Sequence, residues 1–218
     1  MSPRPRIAAL VSIYHRYAHA QHIVDRFLEG YGWNGRHHRP EMDVVSLYVD
    51  QVNAAPSEPE EDARYDLSHE RAARFPQLEL YPTIADALMR GTDTLDVDGV
   101  LLVAEHGDYP NNEKGMTLWP RYEFFKQMLA VFRATGRSVP VFNDKHLSWN
   151  WAWAKEMYDA SVELDFPFMA GSSRPVTWRV PSIEMPLDAE LNEAICVGCG
   201  WTDGGDFHGF ETIQAMVE

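Results

Sequence analysis

The stretch VPVFNDKHLSWNWAWAKEMYDASVELDFPFMAG, residues 139–171, has the pattern of a strand, a turn, a helix and a second strand in that order. Its apolar ends, VPVF and FPFMA, have the length of buried strands, and the segment between them carries apolar residues at helical spacing. Units of this kind build parallel sheets. Because further apolar runs alternate with helical patterns elsewhere in the chain, this unit predicts an α/β fold.

The alternation extends from the N-terminus to about residue 170. We predict a Rossmann-like, doubly wound parallel sheet with ligands at the carboxyl ends of its strands. Thr83 and Ser148 are predicted to cap helices at their N-termini. The predicted strands are 6–13, 43–49, 78–81, 98–104, 139–142 and 166–170, and the predicted helices are 18–29, 83–90, 120–135 and 149–164.

The strand and helix alternation stops in the proline-rich segment 171–186. A strand-like run (192–199), a glycine-rich turn (200–209) and a helix-like run (210–217) follow it. We therefore expect a Rossmann-like domain over 1–172 and the start of a truncated second α+β domain over 173–218. The acidic, proline-containing segment 50–66 is expected to be a surface loop.

The charge of the chain excludes several classes of partner. With 33 acidic and 19 basic residues the formal net charge is -14, which repels nucleic acid and anionic membranes. No apolar run approaches the roughly 20 residues of a membrane-spanning helix, and the N-terminus lacks the features of a signal peptide. We expect a soluble, cytoplasmic protein with a small-molecule substrate.

Ionisable side chains gather directly after the predicted strands. Glu105 and His106 follow the fourth strand, a triplet of Asp144, Lys145 and His146 follows the fifth, and Asp206 and His208 lie in the glycine-rich turn. In a parallel sheet the first two groups share one edge and face a common cleft. The third group would have to fold over them.

Two chemistries fit these residue types. In the first, Lys145 and His208 act as acid/base groups at a hydroxyl or carbonyl carbon. In the second, His106, His146 and His208 bind a divalent metal together with a carboxylate from Glu105, Asp144 or Asp206. The residues alone do not decide between the acid/base and the metal-dependent chemistry.

The lysine turn and its flanks resemble the glucose-fructose oxidoreductase, inositol dehydrogenase and related (Gfo/Idh/MocA) family, where a strand ends in Glu-Lys-Pro-Leu before an Ala- and Met-rich helix. Segments 83–106 and 189–216 also look like that family's approach to the nicotinamide-side loop and its entry into the second domain. The resemblance implies that Lys145 is the catalytic lysine and His208 the catalytic histidine. It also implies that Asp144 stands in for the glutamate and His146 for the proline. The implied function is an oxidoreductase that uses NAD or NADP and acts on a sugar- or polyol-like substrate.

The dinucleotide fingerprint departs from the family pattern. It needs glycines after the first strand so that the backbone can approach the pyrophosphate, and this chain has Ser12, Tyr14 and Tyr17 near those positions. We expect the tyrosines to obstruct the usual pyrophosphate seat. The candidate cofactor-binding residues are Ser12, Tyr14, Asp50 (for the ribose) and Glu105.

The second domain of that family is an open sheet of several strands, longer than 173–218. Unpaired edges and apolar faces would need cover, so we expect a homo-oligomer. Two alternatives remain beside the oxidoreductase. One is a metal-dependent lyase, isomerase or hydrolase, and the other is a non-catalytic binding subunit that has lost its cofactor site.

Overall fold

Six parallel strands form the central sheet of the protein. The computed structural model describes residues 3–52, 65–198 and 202–217. A separate two-stranded hairpin consists of β2 and β3. The strands are β1 Arg6–Val11, β2 Tyr31–Trp33, β3 Arg36–His38, β4 Asp43–Val49, β5 Glu79–Leu80, β6 Gly99–Val103, β7 Val141–Asp144 and β8 Phe168–Gly171.

Helices connect these strands, as the alternating pattern predicts. A short 3-10 turn, Arg174–Val176, follows β8. The helices are α1 His19–Leu28, α2 Ser68–Arg74, α3 Ile84–Met89, α4 Arg121–Thr135, α5 Trp151–Glu163 and α6 Thr202–Val217.

The strand order is β5-β4-β1-β6-β7-β8, with every neighbouring pair parallel. The chain first runs outward from β1 to β5 and then returns to the other side of β1. This reversal between β1 and β6 is the point at which a doubly wound sheet opens a crevice at its carboxyl edge. The structure thus confirms the predicted Rossmann-like sheet.

Side chains alternate between the two faces of the sheet, as the period-two geometry of a strand requires. In β1, Ala9 and Val11 pack with α1, whereas Ala8 and Leu10 pack with α3, α4 and α5. All five residues of β6 are buried, which explains its continuous apolar sequence GVLLV. Each fully buried leucine or valine contributes about 1.5–3 kcal/mol by leaving water.

The start of α3 and the end of α4 were predicted correctly from local sequence. The hydroxyl of Thr83 accepts a hydrogen bond from the backbone N–H of Asp86, which caps α3. Gly136, at φ 64°, ends α4 in the left-handed conformation that glycine adopts without strain.

The prediction of Ser148 as the cap of α5 is wrong: Asn150 holds that position and accepts from the N–H of Trp153. Strand β7 runs two residues further than predicted, to Asp144, so the turn before α5 is displaced along the chain.

The β2–β3 hairpin was missed in the connection that precedes β4. Its turn is formed by Asn34 and Gly35, both at positive φ (49° and 71°), as a two-residue hairpin turn requires. The sequence pair Asn-Gly between short aromatic and basic runs was the available signal.

Two predictions in the C-terminal part are wrong. Residues 192–198 form no strand, and Ile195 and Val197 are 84% and 91% exposed, so this run has no sheet face to bury. Residues 202–209, predicted as a turn, form the first half of α6 despite the glycines at 204, 205 and 209. Contacts of Phe207 with His146 and of His208 with Ser172 offset the weak helix propensity of glycine, which costs about 1 kcal/mol per residue.

Other predictions concern residues that lie partly outside the described ones. Residues 53–64 of the expected surface loop, Cys199 at the end of the predicted strand, and residues 200–201 belong to this group. The division into domains 1–172 and 173–218 stays a prediction.

No helix in the described part of the chain combines the length and apolar character that a membrane crossing demands.

Candidate active site

The ends of β6 and β7 bring a carboxylate and an ammonium group together. Nζ of Lys145 donates to Oε1 of Glu105 over 2.7 Å, and the guanidinium of Arg121 forms an ion pair with the other oxygen of that carboxylate. The three residues are 4%, 3% and 0% exposed. Sequence reasoning placed Glu105 and Lys145 at this edge but missed Arg121.

Arg121 is the first residue of α4, and it connects the loops that follow β6 and β7. Its Nε donates to the backbone carbonyl of Asp144 (3.2 Å), and Nη1 donates to Nε2 of His146 (3.1 Å). Arg121 lies on the same helix face as Phe125, Met128 and Phe132, all of them buried. A cation on an apolar helix face needs a buried carboxylate, and that signal could have identified it from sequence.

The backbone is in the left-handed region at both strand ends. His106 has φ 69° and Lys145 has φ 64°, although neither is glycine. Such conformations cost about 1–3 kcal/mol and are concentrated at functional sites, because the surrounding structure must enforce them. Here the ion pairs of Glu105 and Lys145 supply that constraint.

The buried charges decide the protonation of their neighbours. Burial raises the pKa of Glu105, but the charges of Arg121 and Lys145 outweigh burial and hold that pKa at about 2. Burial, reinforced by Arg121, lowers the pKa of His146 to about 3. Burial, together with His19, lowers the pKa of His106 to about 4. Near pH 7, Glu105 is therefore ionised and both imidazoles are neutral.

A histidine and a carboxylate pair across the sheet edge. Nδ1 of His19, the first residue of α1, lies 2.6 Å from Oδ2 of Asp144 at the end of β7. The carboxylate accepts the Nδ1 proton, which fixes the orientation of the ring and leaves Nε2 as the ring nitrogen that can meet a ligand. Asp144 was predicted as a site residue, whereas His19 was missed.

A cleft of about 790 Å³ opens beside this pair. One wall is α1, the floor is formed by the ends of β7 and β8, and the other wall is the segment after β8 together with α6. Asp144 and His208 line the cleft, whereas buried Lys145 and half-buried His146 are not among its lining residues. The lining residues are His19, His22, Ile23, Arg26, Phe142, Asp144, Met169, Gly171, Ser172, Ser173, Arg174, Val176, Thr177 and His208.

His208 reaches the cleft from α6. Its Nδ1 lies 3.3 Å from the hydroxyl of Ser172 and 3.4 Å from Oε2 of Glu211. Glu211 also accepts from the backbone N–H of Ser172 (2.8 Å), which fixes α6 to the segment after β8. Burial lowers the pKa of His208, and the charge of Lys145 lowers it further. Of the third predicted group, His208 thus lies over the strand ends, whereas Asp206 is exposed and does not line the cleft.

The start of α1 does not fit a dinucleotide in the usual mode. That mode places pyrophosphate on the free N–H groups of this helix. The backbone N–H of His19 instead faces Nδ1 of His106 at 3.4 Å, and the two rings meet edge to face at 4.8 Å. The imidazole of His106 therefore stands at the pyrophosphate seat. Tyr14, expected to obstruct that seat, is turned into the core and donates to Asp25 over 2.6 Å.

The other candidate cofactor-binding side chains are engaged within the fold. The hydroxyl of Ser12 lies 2.9 and 2.8 Å from the backbone carbonyls of Glu105 and His106. The carboxylate of Asp50 accepts from the hydroxyls of Tyr48 (2.8 Å) and Tyr109 (2.7 Å). A ribose at Asp50 would have to compete with these two bonds.

The metal hypothesis finds no support in the described residues, where no three His, Cys, Asp or Glu side chains are placed to hold an ion. His106 packs against His15 and His19, whereas His146 contacts Arg121 and the ring of Phe207. His208 pairs with Ser172 and Glu211. The three predicted ligands thus have separate sets of neighbours.

Comparison with known proteins gives matches among solved structures only, since no family model and no curated protein matches the sequence. Biliverdin reductase from Synechocystis sp. PCC 6803, solved with biliverdin and NADP+, is 13% identical with a TM-score of 0.45, over 77% of this chain and 38% of that one. UDP-N-acetylglucosamine 3-dehydrogenase GnnA from Acidithiobacillus ferrooxidans is 13% identical with a TM-score of 0.47, over 84% and 44%. A Gfo/Idh/MocA family oxidoreductase from Vibrio cholerae is 14% identical with a TM-score of 0.44, over 78% and 39%.

The likeness is one of fold. At such identities and TM-scores it carries no information about the reaction. The chain spans less than half the length of these solved structures.

Proposed function

We propose that this chain is an enzyme that transfers protons on a small polar, sugar- or polyol-like substrate bound in the cleft beside α1. The observation that supports this function is that the His19–Asp144 pair and His208 line the same cleft. Two imidazoles in one cleft can take and return a proton in a single turnover. Because His106 stands at the pyrophosphate seat, isomerisation or elimination fits this site better than hydride transfer.

His208 is the base in this proposal. Burial and the charge of Lys145 hold its pKa below the ordinary value, so its imidazole is neutral near pH 7 and has a lone pair available. It takes a proton from a carbon next to a carbonyl group. The electron pair of that C–H bond becomes the new C=C bond of an enediol.

His19 is the acid, and Asp144 orients it. With both ring nitrogens protonated and its Nδ1–H bonded to Asp144, it donates the Nε2 proton to the carbonyl oxygen, which receives the displaced electron pair of the C=O bond. In an isomerisation, protonated His208 returns its proton to the former carbonyl carbon while His19 takes the proton of the neighbouring enediol hydroxyl, which becomes the new carbonyl group. In an elimination, His19 takes back the proton of the original carbonyl oxygen while protonated His208 gives its proton to a hydroxyl on the next carbon, which leaves as water. Lys145 lies behind the cleft and acts through its charge on His208, as a positioning residue.

Solvent exchange tests this function without knowledge of the net reaction. Hydroxyketones, aldoses and sugar acids are incubated with the protein in D₂O, and deuterium at the carbon next to the carbonyl is measured by NMR. Exchange is expected, with a loss of about 100-fold or more in His208→Ala and in His19→Ala. Exposed His69 on α2 provides a matched control in His69→Ala. Exchange that persists in both site variants, while circular dichroism shows them folded, would refute the proposal.

A second candidate is nicotinamide-dependent oxidation on the same scaffold, favoured by the doubly wound strand order. In this candidate Lys145 and His208 are the acid/base groups, as the family resemblance implies. Fluorescence titration with NADH and NADPH tests it. Absence of binding up to about 1 mM cofactor would exclude it, because a dissociation constant of about 1 mM corresponds to a binding energy of only about 4 kcal/mol.

A further inference from the structure

One face of α1 forms a wall of the cleft and carries a cation. His19, His22, Ile23 and Arg26 lie at positions i, i+3, i+4 and i+7, and all four line the cleft. This spacing places them along a single helix face. Arg26 belongs to the last turn of α1 and His19 to the first, so the two residues lie at opposite ends of this wall.

The facing wall carries a second cation. Arg174 begins the 3-10 turn after β8, and its backbone N–H donates to the hydroxyl of Ser172. Ser172, Ser173 and Thr177 add hydroxyl groups to the same wall. Arg174 and the proposed base, His208, line the same cleft, and the charge of Arg174 is among the causes that lower the pKa of His208.

The charge of the cleft is opposite to that of the chain. The chain carries 33 acidic and 19 basic residues, yet Asp144 is the single carboxylate among the described lining residues, and it is bonded to His19. Behind the wall, Glu211 is bonded to Ser172 and His208. Within the described part of the chain, no carboxylate lies within salt-bridge distance of the guanidinium of Arg26 or of Arg174.

The geometry points to a small anionic ligand in this cleft, a polyhydroxy molecule whose carboxylate or phosphate group is held by Arg26 and Arg174. Arginine binds both groups through charge-assisted, often bidentate hydrogen bonds. The hydroxyls of Ser172, Ser173 and Thr177 suit the remainder of such a molecule. The inference names the substrate class of the proposed enzyme, but the binding itself requires no catalysis.

Calorimetric titration of the whole chain tests the inference with three probes: glucose 6-phosphate, gluconate and neutral glucose. We expect at least one anionic probe to bind more tightly than glucose, and the tighter of the two identifies the preferred group. Arg26→Gln and Arg174→Gln should each weaken that binding about tenfold, as expected for loss of one charge-assisted contact. Exposed Arg39, between β3 and β4, supplies the matched control Arg39→Gln, for which no change is expected.

Three results would overturn the inference. The first is no binding of either anion up to about 10 mM, a concentration at which the binding energy would be under about 3 kcal/mol. The second is binding of glucose as tight as that of the anions, and the third is unchanged anion binding in the folded Arg26→Gln/Arg174→Gln double variant. Binding is measured without turnover, so its failure is distinct from failure of the proton-transfer function. Anion binding that survives in His208→Ala while solvent exchange is absent would support the ligand class alone.

Discussion

Nζ of Lys145 lies 2.7 Å from Oε1 of Glu105, and the guanidinium of Arg121 contacts the other oxygen of the same carboxylate. One buried anion thus balances two buried cations at the point where β6 and β7 end. The three residues are therefore not equivalent, because the carboxylate of Glu105 contacts both cations, whereas Lys145 and Arg121 each contact one of its two oxygens.

Glu105→Gln is therefore expected to destabilise the protein more than Lys145→Met. The first change removes the buried carboxylate that contacts both Lys145 and Arg121 and should cost about 3–5 kcal/mol, whereas the second leaves the Glu105–Arg121 pair intact. Urea unfolding of both variants measures the difference. An equal loss of unfolding free energy in the two would contradict this account of the cluster.

Stability is expected to fall as the pH is lowered from about 6.5 to about 4. The folded-state pKa values of His106 and His146 are about 4 and about 3, below the ordinary 6.5, so only the unfolded chain takes up these protons in that range. Glu105, with a folded-state pKa of about 2 against an ordinary 4.5, extends the loss to lower pH.

His146→Gln tests the histidine part of this dependence. The amide oxygen of glutamine can accept the hydrogen bond that Arg121 donates to Nε2 of His146. The denaturation midpoint should then change less between pH 6.5 and 4 than in the parent protein. An identical pH profile would show that His146 does not contribute.

Lys145→Met is expected to raise the pKa of His208 toward its ordinary value. Burial lowers that pKa first and the charge of Lys145 lowers it further, so removal of this charge takes away the second-largest cause of the shift. NMR titration of the imidazole C–H signal measures the shift. Lys155, an exposed residue paired with Asp159 on α5, provides the control Lys155→Met. If the two variants give the same His208 titration, Lys145 has no effect on the base.

The His19–Asp144 pair should show a coupling free energy of about 1 kcal/mol or more in a double-mutant cycle with alanine. His19→Ala should cost more than Asp144→Ala, because it leaves a carboxylate side chain that is only 5% exposed without its partner. Nitrogen NMR of His19 gives an independent measurement, since Asp144→Ala should release the Nδ1–H tautomer. Additive stabilities in the cycle would mean that the contact has no energetic role.

Most of the sheet could be predicted from sequence because its strands are buried on both faces. Continuous apolar runs such as GVLLV leave little choice of structure, and Asp43–Val49 was predicted with the bounds it has. The region after β8 was different. Its apolar residues, among them Ile195 and Val197, are exposed, so hydrophobic pattern did not correspond to burial there.

Apart from His208, which lies on α6, the site could be predicted only where it follows the strands. Parallel strands deliver their carboxyl ends to one edge, which is why Glu105 and Asp144 were identified. His19, Arg26 and Arg121 come from helices, and their roles depend on which partner each helix face meets. The spacing of residues within a helix does not show which tertiary partner its face meets.

The bond between His19 and Asp144 spans 125 positions of sequence and joins two strand ends that are separated in the sheet by β6. Contacts of such long range form late, because the chain must first lose the entropy of closing the intervening loop. A nascent or partly folded chain can therefore possess α1 and its histidine without the carboxylate that orients it. Proton-transfer activity would then be the last property acquired during folding, after the whole sheet has assembled.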